Sequence, residues 1–302
     1  MDDLTSSPWQ VGRFGARPQN SQILLGQTFE DSEIERRAFS ADGRIFCIAS
    51  SGSMALALCG QHDVVACDIN PAQLAYAARR VAGGKVERGA TDRAIGALRG
   101  LMPFAGWHQA TLRAFLALSR TDEQVDFWQT TLDTWRFRTC FDAVLSLAGL
   151  RAIYAPAVID VLPPHFGAVI RARMLRCFSR HPNASNPYAR KLLLGESEAS
   201  ETGAVEARRI QLVTSEAAAY LEGCAPGRFV GFSLSNILDG ARPAFRDRLT
   251  RAVHRAAAPE AVVVARSYAE PPLDMPTNRA IDDRSMIWGS VEVCDAAAWN
   301  AP

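Results

Sequence analysis

A chain of 302 residues, 48% hydrophobic and 22% charged, has enough material for one large domain or a domain carrying a big insertion, and buries a core without disulfide staples. A net charge of +1 lacks the basic excess of a general nucleic-acid binder and argues against that class of partner. The seven cysteines are odd in number, none sits in a C-x-x-C pair, and most have apolar neighbours, so they read as buried thiols of a reducing compartment.

The chain opens Met1-Asp2-Asp3 with no basic and then apolar leader, so no signal peptide is expected. Residues 1–20 are polar, with Pro8, Gly12, Gly15 and Pro18, and read as an irregular arm. A helix is predicted from Asp31 to Phe39, with acidic residues in its first turn. After the Asp42-Gly43 turn, Arg44 to Ala49 reads as a buried strand. Ser50-Ser51-Gly52-Ser53 breaks it, and Met54 to Cys59 resumes as helix. Asp63 to Asp68 is a second apolar strand, and Pro71 to Val81 a helix with proline at its start. This run has the spacing of a parallel crossover unit.

From Gly83-Gly84 to about Gly203 the strand signal disappears. Leu112 to Leu118, Val125 to Trp135 and Ala168 to Phe178 carry helical apolar spacing, and Ser197 to Gly203 reads as a loop. The most apolar stretch, Phe141 to Ile170, is interrupted by Asp142, Arg151, Pro156, Asp160 and Pro163-Pro164, so no membrane span is expected there and a cytoplasmic location is expected. Strands return at Arg209 to Val213, Phe229 to Leu234 and Ala261 to Ala265, with a helix from Pro243 to Ala257 and a closing strand from Met286 to Val293.

In open α/β sheets ligands sit beyond the carboxyl ends of the strands, where strand order reverses. The Ser50–Ser53 loop occupies that place after the first strand. Its glycine allows close backbone approach, and the helix start behind it favours an anionic group. The loop is not G-x-G-x-x-G, which argues against a dinucleotide pyrophosphate. Asp68, at the end of the second strand, is suited to accept hydrogen bonds from both ribose hydroxyls. The plainer alternative is a crossover unit in which Gly52 makes a turn and Asp68 caps a helix. A later strand ends Gly231-Phe232-Ser233-Leu234-Ser235-Asn236, whose small polar residues suit a cleft floor or, equally, a helix N-cap.

At these residues the chain resembles the betaine-lipid-type 3-amino-3-carboxypropyl transferases. The matching segments are Gln27-Thr28-Phe29-Glu30-Asp31, Ile48-Ala49-Ser50-Ser51-Gly52, Asp68-Ile69-Asn70-Pro71-Ala72-Gln73, Phe232-Ser233-Leu234-Ser235-Asn236-Ile237-Leu238-Asp239, Arg266-Ser267 and Asp283-Arg284-Ser285, in the family's order. The resemblance implies an α/β, class I methyltransferase-like, doubly wound and mostly parallel sheet with a helical insertion. It divides the chain into an arm and helix over 1–42, a Rossmann-like domain over 43–83 and 204–302, and an insertion over 84–203 that shapes the acceptor site.

The implied activity is transfer of the 3-amino-3-carboxypropyl group of S-adenosylmethionine to an acceptor hydroxyl, releasing methylthioadenosine, with no metal. The resemblance puts Gln27, Glu30, Ser51, Gly52, Asp68, Asn70, Ser233 and Asn236 around the cofactor. Glu30 is a candidate to pair with the amino group of the transferred chain, or serves as first-turn helix charge. Arg266 is a candidate carboxylate ligand, and Asp283 and Arg284 are read chiefly as a mutual ion pair. Glu30, Asp239, Tyr268 and His165 stand as unranked candidate bases.

The family's lipid-forming members are longer, and this chain is closer in length to members that alkylate the phenol oxygen of a β-lactam antibiotic. A basic run containing Arg171, Arg173 and Arg176, with Arg266 and Arg284 elsewhere, is assigned to an anionic phenolic acceptor; anionic lipid and a solvated helix face are its alternatives. Diacylglycerol transfer, O-methylation and noncatalytic S-adenosylmethionine binding remain competing functions. No stable membrane insertion and no nucleic-acid partner are expected.

Overall fold

The computed structural model describes residues 22–39, 42–153, 156–196, 207–272 and 275–301; the arm over 1–20 and the loop over 197–203 lie outside the described residues. An irregular segment over 22–32 leads into helix α1 (Glu33–Ala38) and strand β1 (Arg44–Ile48), followed by α2 (Ser53–Leu58), β2 (Asp63–Asp68) and α3 (Pro71–Val81). The strands form from continuous apolar runs because both faces are covered. Ile45 and Cys47 of β1, with Val64 and Ala66 of β2, face a core shared with Ile34, Met54 and Leu74. Phe46 and Val65, one residue out of phase, face the opposite core. At the start of α3 the Asn70 side chain accepts from the amides of Ala72 (3.0 Å) and Gln73 (3.3 Å), and Pro71 supplies the first helical φ.

The chain then runs through helices α4 (Ala90–Leu101), α5 (Gln109–Leu116), α6 (Thr121–Phe127), α7 (Trp135–Val144), α8 (Leu147–Ile153), α9 (Pro156–Ile159), α10 (Phe166–Phe178) and α11 (Pro187–Leu194). They enclose an aromatic core of their own, in which Trp107 stacks on Phe137 at 4.0 Å and Trp128 lies 5.1 Å from Phe178. The helix predicted over Val125 to Trp135 is broken in two. A wide turn at Trp128–Leu132 buries Trp128 and Leu132, and Thr134 then caps α7 through the Phe137 amide at 3.3 Å.

Strand β3 (Ile210–Thr214), α12 (Ala217–Glu222), β4 (Phe229–Ser233), α13 (Pro243–Ala256), β5 (Ala257–Ser267) and β6 (Ser290–Asp295) complete the sheet. Its order is β3-β2-β1-β4-β5-β6, parallel throughout except for β6, which runs antiparallel to β5. Helices α12 and α13 cover the face opposite α2 and α3, through Leu221, Phe245, Leu249 and Val253. This is a mostly parallel α/β sheet, compatible with a Rossmann-like fold, and its strand order reverses between β1 and β4. The closing strand starts later than predicted, at Ser290. Met286 and Trp288 are buried, and the Trp288 indole donates to the Phe29 carbonyl at 2.8 Å, so this stretch docks on the N-terminal segment before pairing begins. Among the described residues no helix is long and apolar enough to cross a membrane.

Candidate functional site

Where β1 ends, Ser50 adopts a left-handed φ of 45° and Gly52 a φ of 82°. The turn sends the Ser50 amide to Asp68 Oδ2 (3.0 Å), while Asp68 Oδ1 accepts from the Asn70 amide (2.8 Å). Each oxygen thus keeps accepting capacity, since a carboxylate has about four lone-pair sites. Burial pushes the Asp68 carboxyl up to about 6, against the stabilising amides of Asn70, Ser50 and Ile69. Ser50 Oγ is buried without a hydrogen-bond partner. A carboxylate with spare accepting capacity at the strand-order switch is placed to accept hydrogen bonds from a ligand's hydroxyls.

Neighbouring residues expected at the cofactor are engaged within the protein. Ser51 Oγ shares a hydrogen bond with Ser53 Oγ at 2.8 Å inside the turn. A Cβ on Gly52 would meet Ala77 at an ordinary 3.4 Å, so the positive φ is what calls for glycine there. Asn70 caps α3 and donates to the Gln22 carbonyl (3.0 Å). Sequence reasoning selected Ser51 and passed over Ser50.

The segment over 22–30 lies as a strap against α3. Gln73 holds it from below, accepting from the amides of Leu24 (2.8 Å) and Leu25 (3.2 Å) and donating to the carbonyls of Leu25 (2.8 Å) and Ser50 (2.9 Å). The Tyr76 hydroxyl donates to the Gly26 carbonyl at 2.8 Å, and a Cβ on Gly26 would fall 1.8 Å from the Glu87 carbonyl oxygen, so only glycine passes there. Gln27 is half-buried on the same strap.

The strap ends in a buried charge cluster. Arg266 forks onto Glu35 (2.5 and 3.0 Å), with Glu30 Oε2 at 4.0 Å and Asp283 Oδ2 at 3.7 Å. Ser233 donates to Glu35 (2.8 Å), and Ser235, at a left-handed φ of 52°, donates to Glu30 Oε1 (2.5 Å). Burial raises the Glu30 carboxyl, opposed by Arg266 and Ser235, and likewise raises that of Asp283, opposed by Arg266. The expected Asp283–Arg284 pair is not formed. Arg284 instead forks onto Asp31 (2.5 and 2.7 Å), because its side chain reaches back to the N-terminal segment while Asp283 turns toward Arg266 and Ser285. Burial works against the Asp31 charge, but Arg284 holds its carboxyl below the usual range. The carboxylate that Arg266 binds is the protein's own.

Between this cluster and the helical segment lies a cavity of about 240 Å³. Glu30, Ser235 and Asn236 stand in its wall, with Tyr268 and the apolar side chains of Trp107, Phe141, Phe166 and Trp288. Tyr268 stacks on Trp288 at 4.9 Å. A second, more polar cleft of about 310 Å³, lined by Thr28, Glu33, Lys191 and Arg284 among others, shares Glu30 as its wall.

The arginines assigned to the acceptor do not line the apolar cavity. Arg171 pairs with Asp142 (2.7 Å). Buried Arg173 donates to Glu270 (2.6 Å) and to the carbonyls of Ile287 (2.6 Å) and Tyr268 (2.8 Å), and Arg176 donates to the Trp288 carbonyl (3.1 Å). Arg173 and Arg176 tie α10 to the chain leaving β5 and approaching β6, and Arg171 ties it to α7. Asp239 accepts from Ser267 Oγ (2.6 Å), the Tyr268 amide (3.2 Å) and Asn236 Nδ2 (3.2 Å), and burial raises its carboxyl against these bonds. His165 is exposed at the start of α10. Among the described residues no cluster of three or more His, Cys, Asp or Glu is arranged to hold a metal ion.

Compared with protein-family models, curated proteins and solved structures, the chain matches none.

Proposed function

We propose that this chain binds S-adenosylmethionine at the β1–β4 crevice and transfers its 3-amino-3-carboxypropyl group to the hydroxyl of a ring-sized, apolar acceptor in the adjoining cavity. The observation that carries the reading is that two environments lie at the same carboxyl edge of the sheet. The Asp68 carboxylate, at the end of β2 and bonded to the Ser50 amide after β1, suits a nucleoside, and Ser235 and Asn236, just past β4, stand with Glu30 in the wall of an apolar, aromatic-walled cavity. Support also comes from side-chain partnerships among the segments that carry the family resemblance: Ser50 with Asp68 and Gln73, Glu30 with Ser235, Asp31 with Arg284, and Ser267 with Asp239.

The bound sulfonium supplies an alkyl group on a good leaving group, so alignment is the protein's chief contribution. Orientation of this kind is worth roughly 7–11 kcal/mol at best. In this reading Asp68 holds the ribose and the apolar wall excludes water from the acceptor.

A phenolic acceptor, as in an isonocardicin synthase-like reaction, is favoured by size and by chemistry. A cavity of about 240 Å³ exceeds the roughly 150 Å³ that holds benzene and falls below the 300–1,000 Å³ typical for drug-sized ligands. A phenol also ionises far more readily than an alkanol. Because Arg171, Arg173 and Arg176 are occupied by protein partners, the reading assigns them no acceptor carboxylate. A diacylglycerol acceptor is the second reading, favoured by the apolar lining alone.

Incubation with isotopically labelled S-adenosylmethionine and a panel of phenols, followed by mass spectrometry, tests the proposal. Methylthioadenosine together with a phenol carrying the aminocarboxypropyl mass is the expected result. S-adenosylhomocysteine with a methylated acceptor would make it a methyltransferase. Turnover only of diacylglycerol in vesicles would make it a lipid enzyme, and binding without turnover across the panel a noncatalytic binder.

A further inference from the structure

We infer that Glu30 is the base that takes the proton of the acceptor hydroxyl, with Ser235 as its positioning residue; this rests on the transferase reading above. Four residues carry candidate basic groups near the site, and geometry separates them. His165 is exposed and does not line the apolar cavity. Asp239 is outside the cavity wall, with both oxygens engaged by Asn236, Ser267 and the Tyr268 amide, so it braces the β4 and β5 exits. Tyr268 reaches the cavity but presents a phenol stacked on Trp288, and a phenol, unlike a carboxylate, ordinarily still carries its own proton at neutral pH. Glu30 is the carboxylate in the cavity wall.

The surroundings of Glu30 suit that task. Its Oε1 is held by the Ser235 hydroxyl at 2.5 Å, and Ser235 is fixed by a left-handed backbone whose carbonyl accepts from the Arg266 amide at 2.7 Å. Such a conformation in a non-glycine residue costs energy and persists where surrounding structure enforces it, commonly at functional sites. The charged groups facing Glu30 are Arg266 from β5, Glu35 from α1 and Asp283. Glu33, Arg36, Tyr188, Lys191 and Arg284 line the polar cleft, and Arg99 and Tyr268 line the apolar cavity. Arg266 is already forked onto Glu35, so it screens Glu30 at 4.0 Å without neutralising it through a direct contact. Burial lifts the carboxyl toward the range in which a general base works best.

In the step itself the acceptor oxygen forms a bond to the γ-carbon of the transferred chain as its proton passes to Glu30. The carbon–sulfur bond breaks, and its electron pair stays on sulfur, leaving neutral methylthioadenosine. The positive charge of the sulfonium is thus balanced by the proton, which Glu30 later gives to solvent.

The test compares Glu30→Gln with the unaltered protein on two phenols, 4-methylphenol and 4-nitrophenol; the latter is substantially ionised at mildly alkaline pH. Loss of a base should lower turnover of 4-methylphenol by about 10²–10⁴-fold and that of 4-nitrophenol by less than about tenfold. Calorimetry should find S-adenosylmethionine affinity nearly unchanged. Ser235→Ala, which removes a hydrogen bond that favours the ionised carboxylate, should move the acidic limb of the kcat profile upward by on the order of one pH unit. Equal losses on both phenols, a collapse of cofactor affinity in Glu30→Gln, or an unmoved acidic limb in Ser235→Ala would each overturn the assignment while leaving the transferase reading intact. No methylthioadenosine from the unaltered protein with either phenol would overturn the phenol-transferase reading and the base with it.

Discussion

Arg266, at the end of β5, and Glu35, in α1, form a fully buried two-pronged ion pair, with Nη1–Oε1 at 2.5 Å and Nη2–Oε2 at 3.0 Å. The same guanidinium donates to the Asp31 carbonyl at 3.1 Å, so one side chain locks α1 and the end of the strap to the sheet. Charge-assisted forks of this kind fix geometry as well as contribute energy.

Removing one partner leaves buried carboxylates unpaired. Arg266→Ala should therefore destabilise the protein by about 3–5 kcal/mol in denaturant unfolding. Arg266→Lys, which keeps the charge but loses the fork, should recover part of this. A loss under about 1 kcal/mol in Arg266→Ala would show that the cluster is held by packing alone.

Asp68 ties stability and binding to pH. Its folded carboxyl titrates at about 6, above the ordinary value. The protonated form is thus favoured by folding, and its stabilising contribution fades as pH rises through about 6. Ligand binding should go the other way, because the ionised carboxylate is the better acceptor for ribose hydroxyls. S-adenosylmethionine affinity should increase as pH rises through about 6 and be flat over that window in Asp68→Asn. Asp68→Ala should weaken binding by about 1.5–3 kcal/mol. Calorimetry at a series of pH values checks both.

The arginines of α10 divide by partner. Arg171→Ala removes a pair with a largely exposed Asp142 and should cost less than about 1 kcal/mol, with acceptor KM unchanged. Arg173→Ala strips the carbonyls of Tyr268 and Ile287 of their donor and should cost about 1–3 kcal/mol for each group left unsatisfied. Equal, small effects on melting temperature would contradict this division, and a raised acceptor KM in Arg171→Ala would restore it as an acceptor ligand.

His62 is buried edge-on to Phe39, with neither ring nitrogen in a well-formed hydrogen bond, and burial holds its pKa below the usual value, opposed by the Gly43 backbone and reinforced by the Arg209 charge. The unfolded chain therefore takes up the proton first, and stability should fall as pH drops below about 6.5. His62→Leu should remove that part of the acid sensitivity. Unfolding curves across the window that show the same slope for both proteins would rule it out.

The crossover unit and its site loop were legible because their signals are local. Unbroken apolar runs mark β1 and β2, Pro71 marks the start of α3, and the distance from Gly52 to Asp68 follows from one strand, one turn and one helix. The break at Thr134 was missed because the apolar spacing over Val125 to Trp135 continues through it. Burial of Trp128 and Leu132, decided by the surrounding aromatic core, sets where the turn falls.

Partner choice was beyond the sequence. Asp283 and Arg284 are adjacent in the chain, yet Arg284 pairs with Asp31, 253 residues away, and Asp283 faces Arg266. Ser50 and Ser51 have the same side chain, and Ser50, at a left-handed turn, has an unpaired buried hydroxyl while that of Ser51 pairs with Ser53. The amino-acid sequence by itself determined the strands and helices of the crossover unit and the polar character of the strand ends, since these depend on periodicity and turn chemistry over a few residues. Tertiary structure alone decided which charges neutralise one another, which hydroxyl stays unpaired and where an apolar cavity meets Glu30. Those outcomes depend on side chains from distant segments competing for the same few ångströms, and no local pattern records the winner.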